Sequence, residues 1–175
     1  MKDLDIGIIG LGVMGQNLAL NIADKGFTVG GWDAWADPVE RLAAKAATGR
    51  VHAFKALPDL LAVLRRPRRL ILLVKAGDVV DKTIAELRPL LAEGDMIVDG
   101  GNEHFRNTER RAAELGAAGI RFFGMGVSGG EQGARHGPSL MPGGDRAGYD
   151  DMAPILTKIA ARSLVETPAP RCSTS

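Results

Sequence analysis

Near the start of the chain the six residues Gly10-Leu11-Gly12-Val13-Met14-Gly15 follow a short apolar run, Ile6-Gly7-Ile8-Ile9. They lead directly into a stretch where Leu18, Leu20 and Ile22 recur at roughly helical spacing. Glycines at the first, third and sixth places between a strand and a helix are what a main chain needs to grip a dinucleotide. The first permits the tight turn, the second lets a diphosphate approach the backbone, and the third lets helix and strand close on each other, while free amides at the helix start meet the charge. Gly10, Gly12, Val13, Met14 and Gly15 are therefore candidate cofactor residues. Without its setting the same pattern describes any glycine turn packed on a helix. The setting here includes an acidic residue, Asp33, eighteen residues beyond Gly15 and at the end of the second apolar run, where a carboxylate takes the adenosine ribose hydroxyls. Ala34, Trp35 and Ala36 follow, and no basic residue appears until Arg41. At ~4 Å and an effective dielectric of ~20, a carboxylate facing one phosphate charge costs about 4 kcal/mol, so NAD is expected over NADP. The competing role for Asp33 is a cap on the next helix, for which Asp37 is an equal candidate.

A parallel sheet binds ligands at the carboxyl ends of its strands, which directs attention to three further segments. Val74-Lys75-Ala76-Gly77, Asp99-Gly100-Gly101-Asn102 and Gly124-Met125-Gly126-Val127-Ser128-Gly129-Gly130 each follow an apolar run and are expected on one rim. Asn102 and Ser128 both donate and accept hydrogen bonds, and the amides of Gly129 and Gly130 suit a carboxylate. Lys75 either contacts the ligands or forms a surface pair.

These residues are positioned by an alternation that runs along most of the chain. Strands are expected at Ile6–Ile9, Phe27–Trp32, Val51–Phe54, Leu70–Val74, Met96–Val98 and Ile120–Phe123. Helices are expected after Gly15, over Pro38–Ala46, from Pro58-Asp59, over Asp78–Leu91 and over Asn107–Ala118, the last with Ala112, Ala113 and Leu115 facing inward. Short connections between them specify an α/β, doubly wound, mostly parallel Rossmann-type sheet with helices on both faces. One domain is expected over residues 1–167, with 168–175 as a frayed tail. The 175 residues are 45% hydrophobic, enough for one core, and 22 Lys plus Arg against 21 Asp plus Glu leave a net charge of +1. No global field draws the chain to nucleic acid or membrane. The single cysteine, Cys172, excludes an internal disulfide and any CxxC site. With no membrane-length apolar run and an acidic start, Met1-Lys2-Asp3-Leu4-Asp5, a soluble cytoplasmic protein is expected.

The blocks Gly7–Gly15, Leu73-Val74-Lys75-Ala76-Gly77, Asp99-Gly100-Gly101-Asn102 and Gly126-Val127-Ser128-Gly129-Gly130-Glu131-Gln132-Gly133-Ala134 together resemble the 6-phosphogluconate dehydrogenases within the β-hydroxyacid dehydrogenases. The run Gly137-Pro138-Ser139-Leu140-Met141-Pro142-Gly143-Gly144 is similar to that family rather than to its hydroxyisobutyrate relatives. The resemblance implies oxidation of the C3 hydroxyl of 6-phosphogluconate by hydride transfer to nicotinamide, then decarboxylation to ribulose 5-phosphate. It places Asn102, Ser128, Gly129 and Gly130 around the sugar acid. Val74, Lys75, Ala76, Glu131 and again Asn102 it places on the cofactor side. Full-length relatives are homo-oligomers, joined chiefly through a helical domain.

Two departures stand out. NADP-dependent members usually carry Asn-Arg-Ser or Asn-Arg-Thr where this chain has Asp33-Ala34-Trp35. The family's general base and general acid lie in a helical domain with a Lys-x-x-His-Asn segment, which these 175 residues lack, so no catalytic residue is expected within them. Alternative readings are a catalytically silent NAD-binding or regulatory module, or another β-hydroxyacid dehydrogenase, of gluconate or 3-hydroxyisobutyrate type.

Other features are set aside. His52, His104 and His136 lack metal-ligand spacing and are expected on the surface or in loops, so no metal is expected. Arg65-Arg66-Pro67-Arg68-Arg69 is read as a helix end favoured by its dipole, not a nucleic-acid patch. Ser128 fails the GxSxG spacing of a hydrolase nucleophile. Trp32 and Trp35 either flank the adenine or pack in the core or on a partner domain, and Met125 and Met141 are expected to fill the core.

Overall fold

The computed structural model describes residues 3–46 and 49–162, so the expected tail at 168–175 and the end of the expected domain lie outside the described residues. Its elements run β1 (Ile6–Ile9), α1 (Val13–Asp24), β2 (Val29–Trp32), α2 (Ala36–Lys45), β3 (Val51–Phe54), α3 (Leu57–Val63), β4 (Arg69–Leu72) and α4 (Asp78–Leu87). There follow a short 3-10 turn at Arg88–Leu90, then β5 (Met96–Asp99), α5 (Phe105–Gly116), β6 (Arg121–Ser128), α6 (Gly130–His136), β7 (Ser139–Gly143) and α7 (Arg146–Ile159). The sheet order is β3-β2-β1-β4-β5-β6-β7, parallel throughout except for the antiparallel β6–β7 pair. β1 is thus flanked by β2 and β4, which makes the gap above β1 and β4 the point where the strand order reverses.

Both faces are covered, which is why the central strands read as continuous apolar runs. Ile6 and Ile8 of β1, Ile71 of β4 and Val98 of β5 point into a core shared with Leu18 and Ile22 of α1, Leu42 of α2 and Met152, Ile155 and Ile159 of α7. Ile9, Leu70, Leu72 and Ile97 point the other way, against Leu60 and Leu61 of α3, Val80 of α4 and Leu115 of α5.

Several boundaries differ from expectation for local reasons. β4 ends at Leu72, although the Leu73 amide still donates to Ile9 O at 2.8 Å, because the chain turns there toward the rim. α4 ends at Leu87, since Pro89 has no amide N–H to continue it, and the 3-10 turn follows. On α5 the inward face carries Arg111 and Leu115, four residues apart, and Ala113 is exposed. The larger correction is β6, which continues through Gly124, Met125, Gly126 and Val127 to Ser128 rather than ending at Phe123. Met125 and Val127 fill the α7 side, while Gly124 and Gly126 face the other way, where added Cβ atoms would lie 3.0 Å from Thr108 Cγ2 and 2.9 Å from Met141 Cε. The glycines there make room inside a strand, not a loop. β7 and α7, which sequence reading left unassigned, close the sheet edge; Asp145 caps α7 by accepting from the amides of Ala147 and Gly148.

Candidate functional site

The glycine loop joins β1 to α1 in the expected form. Gly10 has φ +93, and a Cβ there would lie 2.6 Å from Leu73 O, so the loop touches the chain leaving β4. At Gly15 a Cβ would sit 1.9 Å from Gly10 O, the close approach of helix to turn that the third glycine was expected to allow. Gly12 differs: nothing lies within 4 Å of its Cβ position, which opens into the space above the rim. α1 starts at Val13 with no side-chain cap, leaving the first-turn amides of Val13, Met14 and Gly15 without intrahelical partners. The Gln16 side chain supports the loop from below, donating to Leu11 O at 2.7 Å.

Asp33 stands at the end of β2 beside this loop. Its Oδ2 accepts the Leu11 N–H at 2.6 Å and its Oδ1 accepts the Trp35 N–H at 3.0 Å. The residue capping α2 by position is Trp35, and Asp37 lies inside the first turn, so neither aspartate is the N-cap. The Trp35 side chain is 76% exposed, which removes core packing for it, whereas Trp32 is partly buried against the α3 side. These features fit a dinucleotide: an anion cradle that a Cβ at Gly12 would fill, with a carboxylate at one end.

Across the strand-order reversal the next two loops abut. A Cβ on Gly101 would meet Val74 O at 2.7 Å, so Val74 lies between Gly10 and Gly101. Lys75 is exposed and forms no ion pair among the described residues, so of its two alternatives the surface pair is not the one formed. Below them lies a cluster that sequence reading missed. The Arg111 side chain, 1% exposed, pairs with Glu103 at 2.7 Å, with Asp81 at 2.9 Å and more distantly with Asp99 at 3.5 Å. Hydrogen bonds to Arg111, then to Arg110, hold the Asp81 carboxyl well below the ordinary aspartate range. Burial pushes the Glu103 carboxyl up, but the hydrogen bonds from Arg111, Asn107 and the amides of Gly77 and His104 outweigh it and hold it at about 2. Burial also pushes the Asp99 carboxyl up, against the opposing pull of the Gly101 amide and of Arg111, and there burial wins.

Asn102 adopts a left-handed conformation, φ +57, and its Oδ1 accepts the Val127 N–H at 3.3 Å. That contact brings the Asn102 loop to the end of β6, where Ser128, Gly129 and Gly130 are all exposed. Gly129 (φ +122) and Gly130 (φ +59) make the sharp turn into α6, whose first turn carries Glu131. Asn21, buried in α1, donates to Ala134 O of α6 and Ile159 O of α7, fixing α6 beside α1. The structure thus brings Gly10, Gly12, Val13, Met14, Gly15, Val74, Lys75, Ala76, Asn102, Ser128, Gly129, Gly130 and Glu131 to one sheet edge, with Asp33 at its β2 end.

Other expectations are corrected. The Arg65–Arg69 run is not a helix end: α3 stops at Val63 and Arg69 opens β4, while the Arg68 guanidinium is buried against Asp95 at 2.8 Å and donates to Leu61 O. Met125 is core, but Met141 is 55% exposed. His52 lies within β3, partly buried. Met141 and Phe105 border an apolar groove of about 840 Å³ between α5 and the β6–β7 pair, beside the rim and not on the glycine loop. No helix among the described residues is long and apolar enough to cross a membrane, and no group of three metal-ligating side chains occurs among them.

Similarity to known proteins follows the same residues. A family model described as the NAD binding domain of 6-phosphogluconate dehydrogenase matches residues 5–169. The decarboxylating 6-phosphogluconate dehydrogenase of Synechocystis sp. is 51% identical over 176 residues, covering 99% of this chain and 36% of that protein. The NAD(+)-dependent decarboxylating 6-phosphogluconate dehydrogenase of Bacillus subtilis is 51% identical over 157 residues, covering 90% of this chain and 34% of that protein. The chain spans about a third of the length of these curated relatives. Among solved structures, 6-phosphogluconate dehydrogenase of Plasmodium falciparum, determined apo, with its cofactor NADP+ and with its substrate 6-phosphogluconate, aligns with a TM-score of 0.86. It is 44% identical and covers 90% of this chain and 34% of that one. The 3-hydroxyisobutyrate dehydrogenase of Mycobacterium tuberculosis, 23% identical with a TM-score of 0.79 over 90% of this chain and 52% of that one, shares the fold.

Proposed function

Because the chain belongs to the family of the NAD binding domain of 6-phosphogluconate dehydrogenase, we propose that its rim binds a nicotinamide adenine dinucleotide, NAD in preference to NADP. It is the cofactor-holding part of a decarboxylating 6-phosphogluconate dehydrogenase. The observation that carries this reading is Asp33, whose carboxylate is tied to the glycine loop through Leu11 with no basic side chain at position 34. The amides of Val13, Met14 and Gly15 would meet the diphosphate over the open space at Gly12. Asp33 would accept the ribose hydroxyls and repel a 2′-phosphate.

A bound nicotinamide supplies the hydride acceptor for the carbon being oxidised. The residues of this chain then position the partners of that transfer. Val74, Lys75 and Ala76 border the nicotinamide end, with Glu131 approaching from the first turn of α6. Asn102, Ser128 and the amides of Gly129 and Gly130 hold the sugar acid by its hydroxyl and carboxylate oxygens, fixing the distance between the reacting carbons. The 175 residues contain no Lys-x-x-His-Asn segment, so by themselves they would bind dinucleotide without turning over 6-phosphogluconate.

Titration calorimetry with NADH and NADPH tests the reading. Binding of NADH at least about tenfold tighter than NADPH is expected, a difference of about 1.4 kcal/mol. No NADH binding at millimolar concentration would remove the cofactor assignment, and tighter NADPH binding would remove the preference.

A further inference from the structure

Gly77, at the turn into α4 with φ +92, is held by both of its main-chain polar groups. Its N–H donates to Glu103 Oε2 at 2.7 Å, and its carbonyl accepts from Arg111 at 3.0 Å. Glu103 and Arg111 are themselves paired at 2.7 Å, so an ion pair anchored on α5 closes around the last residue of the Val74–Gly77 loop. The second carboxylate oxygen of Glu103 accepts the His104 amide at 2.9 Å and the Asn107 side chain at 3.0 Å, which fixes its rotamer. The clamp joins neighbouring parts of the rim. Gly77 ends the loop that borders Gly10, Glu103 follows Asn102 directly, and Asp99, beneath both, ties Gly101 at 2.9 Å.

We propose that Glu103 is a positioning residue: acting through Gly77, it sets the Val74–Gly77 loop against the nicotinamide end of the dinucleotide while its neighbour Asn102 holds the sugar acid. This rests on the proposed dinucleotide function. The physical argument is one of direction and burial. A carboxylate with nearly all its acceptor capacity filled by fixed donors has one orientation, and its charge-assisted bond to the Gly77 amide is stronger and shorter than a neutral one. Without this acceptor the Ala76–Gly77 peptide has no other bond to its N–H among the described residues and can turn, moving Lys75 and Ala76, while the Gly77 carbonyl stays held by Arg111 and the Val80 N–H. The clamp sits between the ends of β4 and β5, with the glycine loop on the other side of β4, and no hydrogen bond of Glu103 or Arg111 reaches residues 10–15 or Asp33. Its loss therefore falls on one end of the cofactor only.

That asymmetry supplies the test, in which a defect of folding is separated from a defect of placement. NADH and ADP affinities are measured for the wild-type chain, Glu103→Gln and Asn107→Ala, with thermal unfolding as the check on folding. NADH affinity is expected to fall about tenfold in Glu103→Gln and about threefold in Asn107→Ala, while ADP affinity stays within about twofold of wild type. Parallel losses for both nucleotides would make the cluster merely structural, and an unchanged NADH affinity in folded Glu103→Gln would overturn the proposal outright. Should Glu103→Gln fail to fold, the NADH-to-ADP ratio in Asn107→Ala decides alone. If the wild-type chain binds neither nucleotide, the cofactor reading itself falls and this inference with it; if it binds both, only the clamp is on trial.

Discussion

The Asp33 carboxylate accepts the Leu11 main-chain N–H at 2.6 Å, so the acid proposed to take the ribose hydroxyls also fixes the glycine loop. A substitution that changes cofactor choice must therefore keep an acceptor at this position. Asn does so with its amide oxygen and removes the charge. Asp33→Asn with Ala34→Arg is expected to tighten NADP binding and weaken NAD binding, moving the ratio of affinities by about a hundredfold, within the ~4 kcal/mol that a carboxylate–phosphate contact costs at ~4 Å. Calorimetry with both cofactors checks it; an unmoved ratio would reduce Asp33 to a support for the loop.

Gly12 and Gly15 separate ligand space from packing space. A Cβ at Gly12 meets nothing, and φ −62 is open to any residue, so Gly12→Ala should leave stability within about 0.5 kcal/mol of wild type. Dinucleotide affinity should nevertheless fall at least about tenfold, because the added methyl occupies the diphosphate's approach. At Gly15 the methyl would lie 1.9 Å from Gly10 O, so Gly15→Ala must push α1 off β1 and is expected to cost about 1–3 kcal/mol of stability as well as binding. Urea unfolding beside calorimetry distinguishes the two cases.

The first β-α-β unit is legible in the sequence because its information is local: an apolar run, three spaced glycines, a helical stripe and Asp33. The β6 region is less so. Its strand periodicity persists as Phe123, Met125 and Val127 on one face, but glycines occupy the other, and their reason lies in Thr108 and Met141, far away in sequence. α7 carries a readable signal, Met152, Ile155, Leu156 and Ile159 at helical spacing behind an Asp145 cap. Arg111 has none. Beside Arg110 on a charged helix it reads as solvated, and only the folding of α4 and β5 around it reveals three carboxylates within reach. Arg68, within a run of arginines, is hidden in the same way by its pairing with Asp95.

The cluster around Arg111 fixes the sign of a pH effect. Glu103 is held at about 2 against an ordinary 4.5, so the stability it contributes is fully present above 4.5 and is lost as pH falls toward 2. Asp81, also lowered, acts in the same direction. Asp99 is raised, so its contribution is present at low pH and fades as pH rises, partly offsetting the other two. The margin of the wild-type chain over Glu103→Gln should therefore shrink as pH falls through this window. Urea midpoints at about pH 6 and about pH 3 measure it, and a constant margin would show that the Glu103 carboxyl gains nothing from its partners.

Asn21 tests how far the sheet edge depends on α1. Its amide donates to the carbonyls of Ala134 and Ile159 at 3.2 and 3.1 Å, joining the C-terminal parts of α6 and α7 to the helix that begins at the glycine loop. Asn21→Leu keeps the side chain's branched outline but leaves two carbonyls without this donor in a buried setting, at a cost of about 1–3 kcal/mol. Because α6 opens with Gly130 and Glu131, the loosening should reach the sugar-acid end of the rim and spare the adenosine end. Hydrogen exchange is expected to quicken across 129–137 and over α7 while the amides of β1 and β2 remain protected. Uniform quickening would mean that Asn21 supports the whole fold, and its effect could then not be assigned to α6.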